Sequence, residues 1–234
     1  MLRIYIVRHA TAQDRGGALP DFERSLVKKG TKEATAVARH LASANAAPDL
    51  MISSFANRAI ETAHLFAKAF GYPHQKILLK DTFYGNTNTE DLAQEIRKQP
   101  DKYRSIMLVG HDPAFSQLAA HLVKGFREAI PKGGVVTAEF ALDHWRDLAG
   151  GAGTLIEFTG PGRLKAQKKE ARTELETRLA RSMEGILGRV SRPGAAAFQK
   201  ETRKAAHKLA RDFLKTLNVR PPARPETSKR RAAR

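Results

Sequence analysis

The chain opens on an apolar run, Leu2 to Val7, of a length suited to one buried strand, and then turns polar at Arg8-His9. Apolar residues recur at helical spacing over Thr31–Ala44 (Ala34, Val37, Ala38, Leu41), with Asn45 where a C-cap would sit. Asp49–Ser53 reads as a second strand, and Ala59–Phe70 as a second helix ended by Gly71. Ile77–Leu79 predicts a weaker strand. Thr89–Lys98 predicts a helix with Thr89 as its N-cap and Pro100 just past its end. Ser105–Val109 is a further buried strand leading into Gly110-His111, and Pro113 suits the first position of a helix running to about Lys124. Val135–Leu142 alternates like a half-exposed strand, and Thr154–Phe158 like a last one.

Strand–helix alternation of this kind predicts an α/β fold: an open, mostly parallel sheet with helices on both faces. Ligands in such sheets bind beyond the carboxyl ends of the strands. Arg8-His9, Ser53–Arg58 and His111 each follow a predicted strand, so three segments far apart in sequence should meet at one sheet edge.

Gly160-Pro161-Gly162 is the best boundary in the chain. It divides a domain of residues 1–160 from a helical extension over residues 163–218. In the extension Leu164, Ala171, Leu175, Leu179, Met183, Ile186 and Val190 form one apolar stripe, which Ser191-Arg192-Pro193-Gly194 interrupts. Phe198, Ala205, Leu209, Phe213 and Leu217 form a second, so the two helices could pair as a hairpin. Residues 219–234, with three prolines and many cations, read as a disordered basic tail.

Charge sharpens this division. The net charge is +17, but residues 1–160 hold 20 Lys/Arg against 17 Asp/Glu, whereas residues 161–234 hold 21 against 7. The extension is therefore +14, and the first part is an ordinary, nearly balanced domain. The basic extension admits three readings: a solvated helical pair packed on the domain or on a second subunit, a dock for an acidic partner or polyanion, or a nucleic-acid contact. Its only aromatics, Phe198 and Phe213, lie on the apolar stripe, which does not favour the last. A surface contact of the basic helices with a membrane is conceivable, but no stretch reaches the roughly 20 apolar residues of a spanning helix. Cysteine is absent, which removes disulfides, thiolate metal sites and every cysteine-nucleophile mechanism, and fits a cytoplasmic location.

Eight histidines are present. His40, His64, His121 and His207 fall within helical stretches, and His74 and His144 in surface connections, so structural roles suffice for them. No metal-binding spacing of histidines occurs, and no metal or other cofactor is implied. His9 and His111 differ, because each ends a predicted strand beside a distinctive neighbour, Arg8 or Gly110. A guanidinium grips phosphate oxygens through a planar fork that never loses its charge, and an imidazole can attack phosphorus directly. Arg58 opens a predicted helix, where backbone N–H groups also favour an anion. Each feature has a commonplace alternative: a chance Arg-His pair, a surface arginine at a helix start, a capping histidine.

Taken in order, Arg8-His9, Ser53-Ser54-Phe55-Ala56-Asn57-Arg58 and Val109-Gly110-His111-Asp112-Pro113 resemble the histidine phosphatase superfamily. The segment Asp21-Phe22-Glu23-Arg24-Ser25-Leu26 leading to Gly30, and the run from Gly133-Gly134 through Trp145 to Pro161, resemble its SixA-like phosphohistidine phosphatases. The resemblance covers residues 1–160 and implies a phosphoglycerate mutase-like fold. It implies His9 as the nucleophile that becomes a phosphohistidine, with Arg8, Arg58 and His111 holding the phosphoryl oxygens. Asp81 stands where a general acid could lie in superfamily members that cleave alcohol esters; a turn aspartate is the plainer account of it. Ala10 replaces the usual glycine after the nucleophile, and Phe55 stands where proline is common.

The expected activity is a metal-independent phosphatase acting on phosphohistidine of a signalling or phosphotransfer protein. Two alternatives stay open: a phosphatase of small phosphate monoesters, and a polyanion-binding protein with a vestigial phosphatase domain.

Overall fold

The computed structural model describes residues 1–16, 20–45, 47–85, 87–190 and 197–217. Six strands form one sheet: β1 (Leu2–Arg8), β2 (Leu50–Ser53), β3 (Leu78–Leu79), β4 (Ser105–Gly110), β5 (Val135–Phe140) and β6 (Gly153–Thr159). Their order is β3-β2-β4-β1-β5-β6, parallel among the first four and antiparallel for β5 and β6. The α/β architecture expected from the sequence is thus the one observed.

The pleat of β1 explains the layers. Leu2, Ile4 and Ile6 point into one apolar cluster with Leu92, Ile96, Phe115 and Leu118. These come from α3 (Thr89–Arg97) and α4 (Ala114–Leu122). Tyr5 and Val7 point into the opposite cluster with Val37, Leu41, Ala63 and Phe66 of α1 (Lys28–Ala42) and α2 (Asn57–Phe70). A strand buried on both faces reads as a continuous apolar run, which is why β1 and β4 are legible in the sequence. Burying one large apolar side chain contributes about 1.5–3 kcal/mol, against roughly 0–1 kcal/mol for a surface ion pair. The two clusters, not the peripheral salt bridges, therefore hold the sheet.

Element ends depart from expectation in instructive ways. The N-cap of α3 is Asn88, whose side-chain oxygen accepts from the Asp91 amide; Thr89 is already helical. α1 begins at Lys28, and Asn45 lies beyond its C-cap Ser43, its side chain donating to the Leu41 carbonyl. Pro113 occupies the N-cap position of α4 rather than its first turn, and that helix ends at Leu122. Gly71 does end α2, in the left-handed conformation (φ 68°). β5 is not half-exposed: it lies between β1 and β6, and Val135, Val136, Thr137, Ala138 and Phe140 are all buried.

The chain divides into two compact units, residues 1–164 and 165–234. A helix, α5 (Pro161–Val190), opens at Pro161. In the second unit α5 and α6 (Gln199–Leu217) exchange ion pairs, Glu184 with Arg203 and Glu176 with His207, which sets them antiparallel. The apolar stripe expected on α6 is not its buried face: Phe198, Leu209 and Phe213 are exposed, while the small side chains of Thr202, Ala206 and Ala210 are buried. A row of small residues lets a neighbouring surface approach closely, which bulky ones prevent. The expected break at residues 191–194 and tail at 219–234 lie outside the described residues. Among the described residues, no helix is long and apolar enough to cross a membrane.

Candidate active site

Register alone aligns three of the segments. β1 and β4 pair with Arg8 opposite Gly110, and β2 and β4 with Ser53 opposite Val109. The residues that follow, His9, Ser54 and His111, therefore leave the sheet at one edge. Backbone bonds extend the ladder past the strand ends: the His9 amide donates to the Gly110 carbonyl and the Ser54 amide to that of Val109, both at 2.9 Å. Gly110 is required there, because a Cβ on it would sit 2.2 Å from the Phe115 ring.

The rings of His9 and His111 lie with centroids 5.0 Å apart. His9 Nδ1 is 2.7 Å from the carbonyl oxygen of Ala10, which can only accept, so Nδ1 carries the proton and Nε2 keeps its lone pair. Burial, followed by the charges of Arg58, Arg8 and Lys132, lowers the His9 pKa to about 4, although the bond to Ala10 opposes this. The ring is neutral at pH 7.

His111 is set by Ser54. Its Nε2 lies 2.9 Å from Ser54 Oγ, and that oxygen also accepts from the Ala56 amide at 3.3 Å. Ser54 is fully buried, and His111 Nε2 is the one acceptor within hydrogen-bond reach of its hydroxyl among the described residues, so the hydroxyl donates to Nε2 and the ring's single proton lies on Nδ1. Burial, then the charges of His9 and Arg58, lowers the His111 pKa to about 3, so it too is neutral and donates through Nδ1.

Arg58, in the first turn of α2, has a side chain only 4% exposed. Its terminal nitrogens donate to Asp21, one to the carbonyl at 2.5 Å and one to the carboxylate at 2.8 Å. The same carboxylate accepts from Arg24 and from the Tyr84 hydroxyl. Burial alone would raise the Asp21 pKa, but the bonds from Arg24, Tyr84 and Arg58 outweigh it and hold the carboxyl well below the usual range. Arg8 is tied differently: it donates to the Ile130 carbonyl at 2.8 Å and pairs with Asp112 at 3.5 Å. Asp112 in turn accepts from Ser116, whose oxygen accepts from the Ile130 amide.

These anchors leave a pattern of unused donors. Arg8 Nε, Arg58 Nε and His111 Nδ1 are buried and have no hydrogen-bond partner among the described residues. Buried donors without partners are costly, about 1–3 kcal/mol each and more for a charged group, so a native protein that keeps several together has a reason for them, such as a catalytic role or a bound ion. Cationic or neutral N–H donors beside an unprotonated imidazole suit a multiply charged oxyanion.

Asp81 does not join this group. It is exposed, begins the short turn Asp81–Phe83, and makes no hydrogen bond or ion pair with His9, Arg8, Arg58 or His111. The turn instead delivers Tyr84, whose ring stands edge-on to His111 at 5.4 Å. The Ala10 methyl, a departure from glycine, is buried in the apolar cluster with Val7 and Ala59, and the Ala10 amide donates to Thr62 Oγ1 at 3.1 Å. A cavity of about 320 Å³ borders His111, lined also by Gly85, Asn88, Asp112 and Gln117. Among the described residues no group of three or more His, Cys, Asp or Glu could hold a metal ion.

Ser54, Asp21 and Tyr84 are the residues that sequence reasoning missed as partners. Asp21 and Ser54 lie within segments that carried the family resemblance, but spacing along the chain gives no sign that Asp21 reaches Arg58, 37 positions on. Five of the remaining six histidines have partners away from this site: His40 meets Glu157, His144 meets Asp101, His207 meets Glu176, and His64 stacks on His74.

A two-carboxylate-anchored pair of arginines around two neutral histidines, at the carboxyl edge of a phosphoglycerate mutase-like sheet, defines a class, and comparison with known proteins agrees. The model of the histidine phosphatase superfamily (branch 1) matches residues 4–122, and the chain belongs to that family. Within it the chain is SixA-like, and it is a phosphatase. It is similar to a structure from Agrobacterium tumefaciens provisionally assigned as the phosphohistidine phosphatase SixA (28% identity, TM-score 0.58, covering 68% of this chain and 98% of that one). A counterpart from Nakamurella multipartitia, with the same provisional assignment, shares the fold at 23% identity (TM-score 0.60, 68% and 96% covered). An uncharacterised protein of Mycobacterium tuberculosis is 27% identical over 166 residues, 66% of this chain and 99% of the relative.

Proposed function

We propose that this phosphatase removes the phosphoryl group from phosphohistidine on a signalling or phosphotransfer protein, through a phosphohistidine formed on His9. The observation that carries the reading is the set of three buried, unpartnered donors, Arg8 Nε, Arg58 Nε and His111 Nδ1, beside the free lone pair of His9 Nε2. In this reading the donors take the phosphoryl oxygens, and their contact strengthens as charge spreads over them in the in-line transition state.

Proton bookkeeping favours a nitrogen leaving group. His9 Nε2 bonds to phosphorus while the phosphorus–nitrogen bond of the substrate breaks, its electron pair passing to the departing imidazole. If the far nitrogen of that ring already carries a proton, the ring leaves neutral and no acid is needed. His9, with Nδ1–H held by Ala10, is the mirror image of this ring. Water then attacks the phosphorylated His9, both its hydrogens leave with dihydrogen phosphate, and Nε2 regains its lone pair. An alcohol ester would instead leave as an alkoxide that must be protonated, and among the described residues the exposed Asp81 side chain makes no hydrogen bond or ion pair with His9, Arg8, Arg58 or His111. A cytoplasmic location belongs to the same proposal. The test is kcat/KM on a histidine-phosphorylated protein against sugar and nucleotide monophosphates. Preference for the former by tenfold or more is expected, and a clear preference for monoesters would overturn the reading.

A second proposal concerns the other unit. Lys200, Lys204 and Lys208 follow one another at i, i+4, i+8 on α6 and form no ion pair among the described residues. Lys200 and Lys204 also line a cleft of about 550 Å³ with Gln199, Arg203 and His207. We propose this cationic face as a contact for a polyanion or acidic partner. Binding of a polyphosphate chain that weakens steeply with salt, and is lost on charge reversal of the three lysines, would support it; salt-independent or absent binding would refute it.

A further inference from the structure

Aromatic rings form an unbroken file from the protein surface to the candidate nucleophile. Phe22, 42% exposed, lies 6.1 Å from Phe55; Phe55 lies 4.7 Å from Tyr84; Tyr84 lies 5.4 Å from His111; and His111 lies 5.0 Å from His9. The last two rings are accounted for by the phosphoryl site. Phe22 and Phe55 are not. Phe55 is half-buried on the loop between β2 and α2, beside Ser54 and near Arg58, and Phe22 is an exposed residue of the turn that carries Asp21. Neither ring belongs to the two apolar clusters that hold the sheet.

The position of the file is fixed from both ends. Tyr84 is locked by its hydrogen bond to Asp21 and lies 5.9 Å beneath the Arg58 guanidinium. Asp21 also clamps Arg58 and Arg24, so the turn bearing Phe22 is anchored to the phosphoryl site itself. In-line attack by His9 places the leaving group on the side of phosphorus away from His9, and the Phe55–Phe22 pair continues the file beyond Tyr84, the ring that lies against Arg58. Aromatic side chains offer a flat ring an offset or edge-on partner with centroids about 4.5–7 Å apart. A leaving group without a ring offers no such partner.

We infer that Phe55 and Phe22 form a ring subsite that receives the planar, aromatic leaving group of the substrate, the imidazole of a phosphohistidine. The inference rests on the proposed phosphohistidine activity and assigns its specificity to two side chains, one of them the Phe55 that departs from the family's usual proline. Tyr84 borders the subsite and keeps its place through Asp21.

The test compares two substrates with the same phosphorus–nitrogen bond, a histidine-phosphorylated peptide and phosphoramidate, which has no ring. In Phe55→Leu and Phe22→Leu, singly and together, the ratio of kcat/KM for the peptide to that for phosphoramidate should fall, by about tenfold in the double variant. The loss should appear mainly in KM, and Phe55→Tyr should restore the ratio. Turnover of phosphoramidate by each variant reports that it is folded. A ratio that stays constant, whether both rates fall together or neither does, would overturn the ring subsite and leave the phosphohistidine reading standing. A native enzyme that cleaves monoesters but neither phosphorus–nitrogen substrate would sink both.

Discussion

Arg58 and His111 in the first unit, and Arg172 and His207 in the second, are the same two residue types under opposite conditions. Arg58 is almost wholly buried and keeps one N–H without a partner, as does His111. Arg172 and His207 are 39% and 52% exposed, touch each other, and share the carboxylate of Glu176. In the first unit desolvation makes each unsatisfied donor strongly reactive toward an anion; in the second, water and a paired acid leave little to gain. Sequence counts make the second unit the cationic one, yet the chemistry resides where charge is nearly balanced. What matters is where the carboxylates fall. Asp21 holds both outer nitrogens of Arg58, Asp112 and the Ile130 carbonyl hold one outer nitrogen of Arg8, and the inner nitrogen of each arginine has no partner among the described residues.

The comparison breaks first on arginine. Arg58→Ala should lower kcat by about 10²–10³-fold, the usual cost of removing one preorganised donor. Arg172→Ala should leave kcat within about twofold, as expected for an exposed pair. Equal effects in steady-state kinetics would show that burial is not the distinction.

Acid supplies the next test. kcat/KM should be level near neutrality and fall about tenfold per pH unit below the His9 pKa of about 4, as Nε2 takes up a proton. Stability should move over a different window. The unfolded chain protonates both histidines near 6.5, whereas the folded chain resists until about 4 for His9 and about 3 for His111. The unfolded state thus binds more protons between these values. The stability these groups contribute is full above pH 6.5 and declines as pH falls toward 4 for His9 and toward 3 for His111. Thermal melts across that range should show Tm falling, and in the His9→Ala, His111→Ala double variant the slope should be shallower.

Ser54→Ala should then reduce kcat/KM by about tenfold, the worth of one orienting hydrogen bond, because His111 loses the partner that fixes its tautomer. Asp81→Asn should have the smallest effect, within about twofold on a phosphohistidine substrate, where loss of a true general acid would cost about 10²–10⁴-fold.

Much of the site was legible because strands buried on both faces write themselves as apolar runs, and their ends point to where a ligand binds. β1 and β4 stopped at Arg8-His9 and Gly110-His111 for that reason. β5 was misjudged, since its alternation of Thr137 and Glu139 with apolar residues imitates an exposed strand, although β6 covers its far edge. The α6 stripe misled in the converse way: period identifies an apolar face, but which half is covered depends on side-chain size, and Ala206 and Ala210 are buried where Leu209 is not. The Asp21–Tyr84–Arg58 junction joins three segments through side chains alone, and no periodicity records such a contact.

The central claim is that His9 carries the phosphoryl group. Rapid quenching of turnover with labelled phosphoryl donor should leave label on the native protein that is lost in acid, survives base, and maps to His9. His9→Ala should retain none. Label that persists in that variant, or that maps to another residue, would contradict the account.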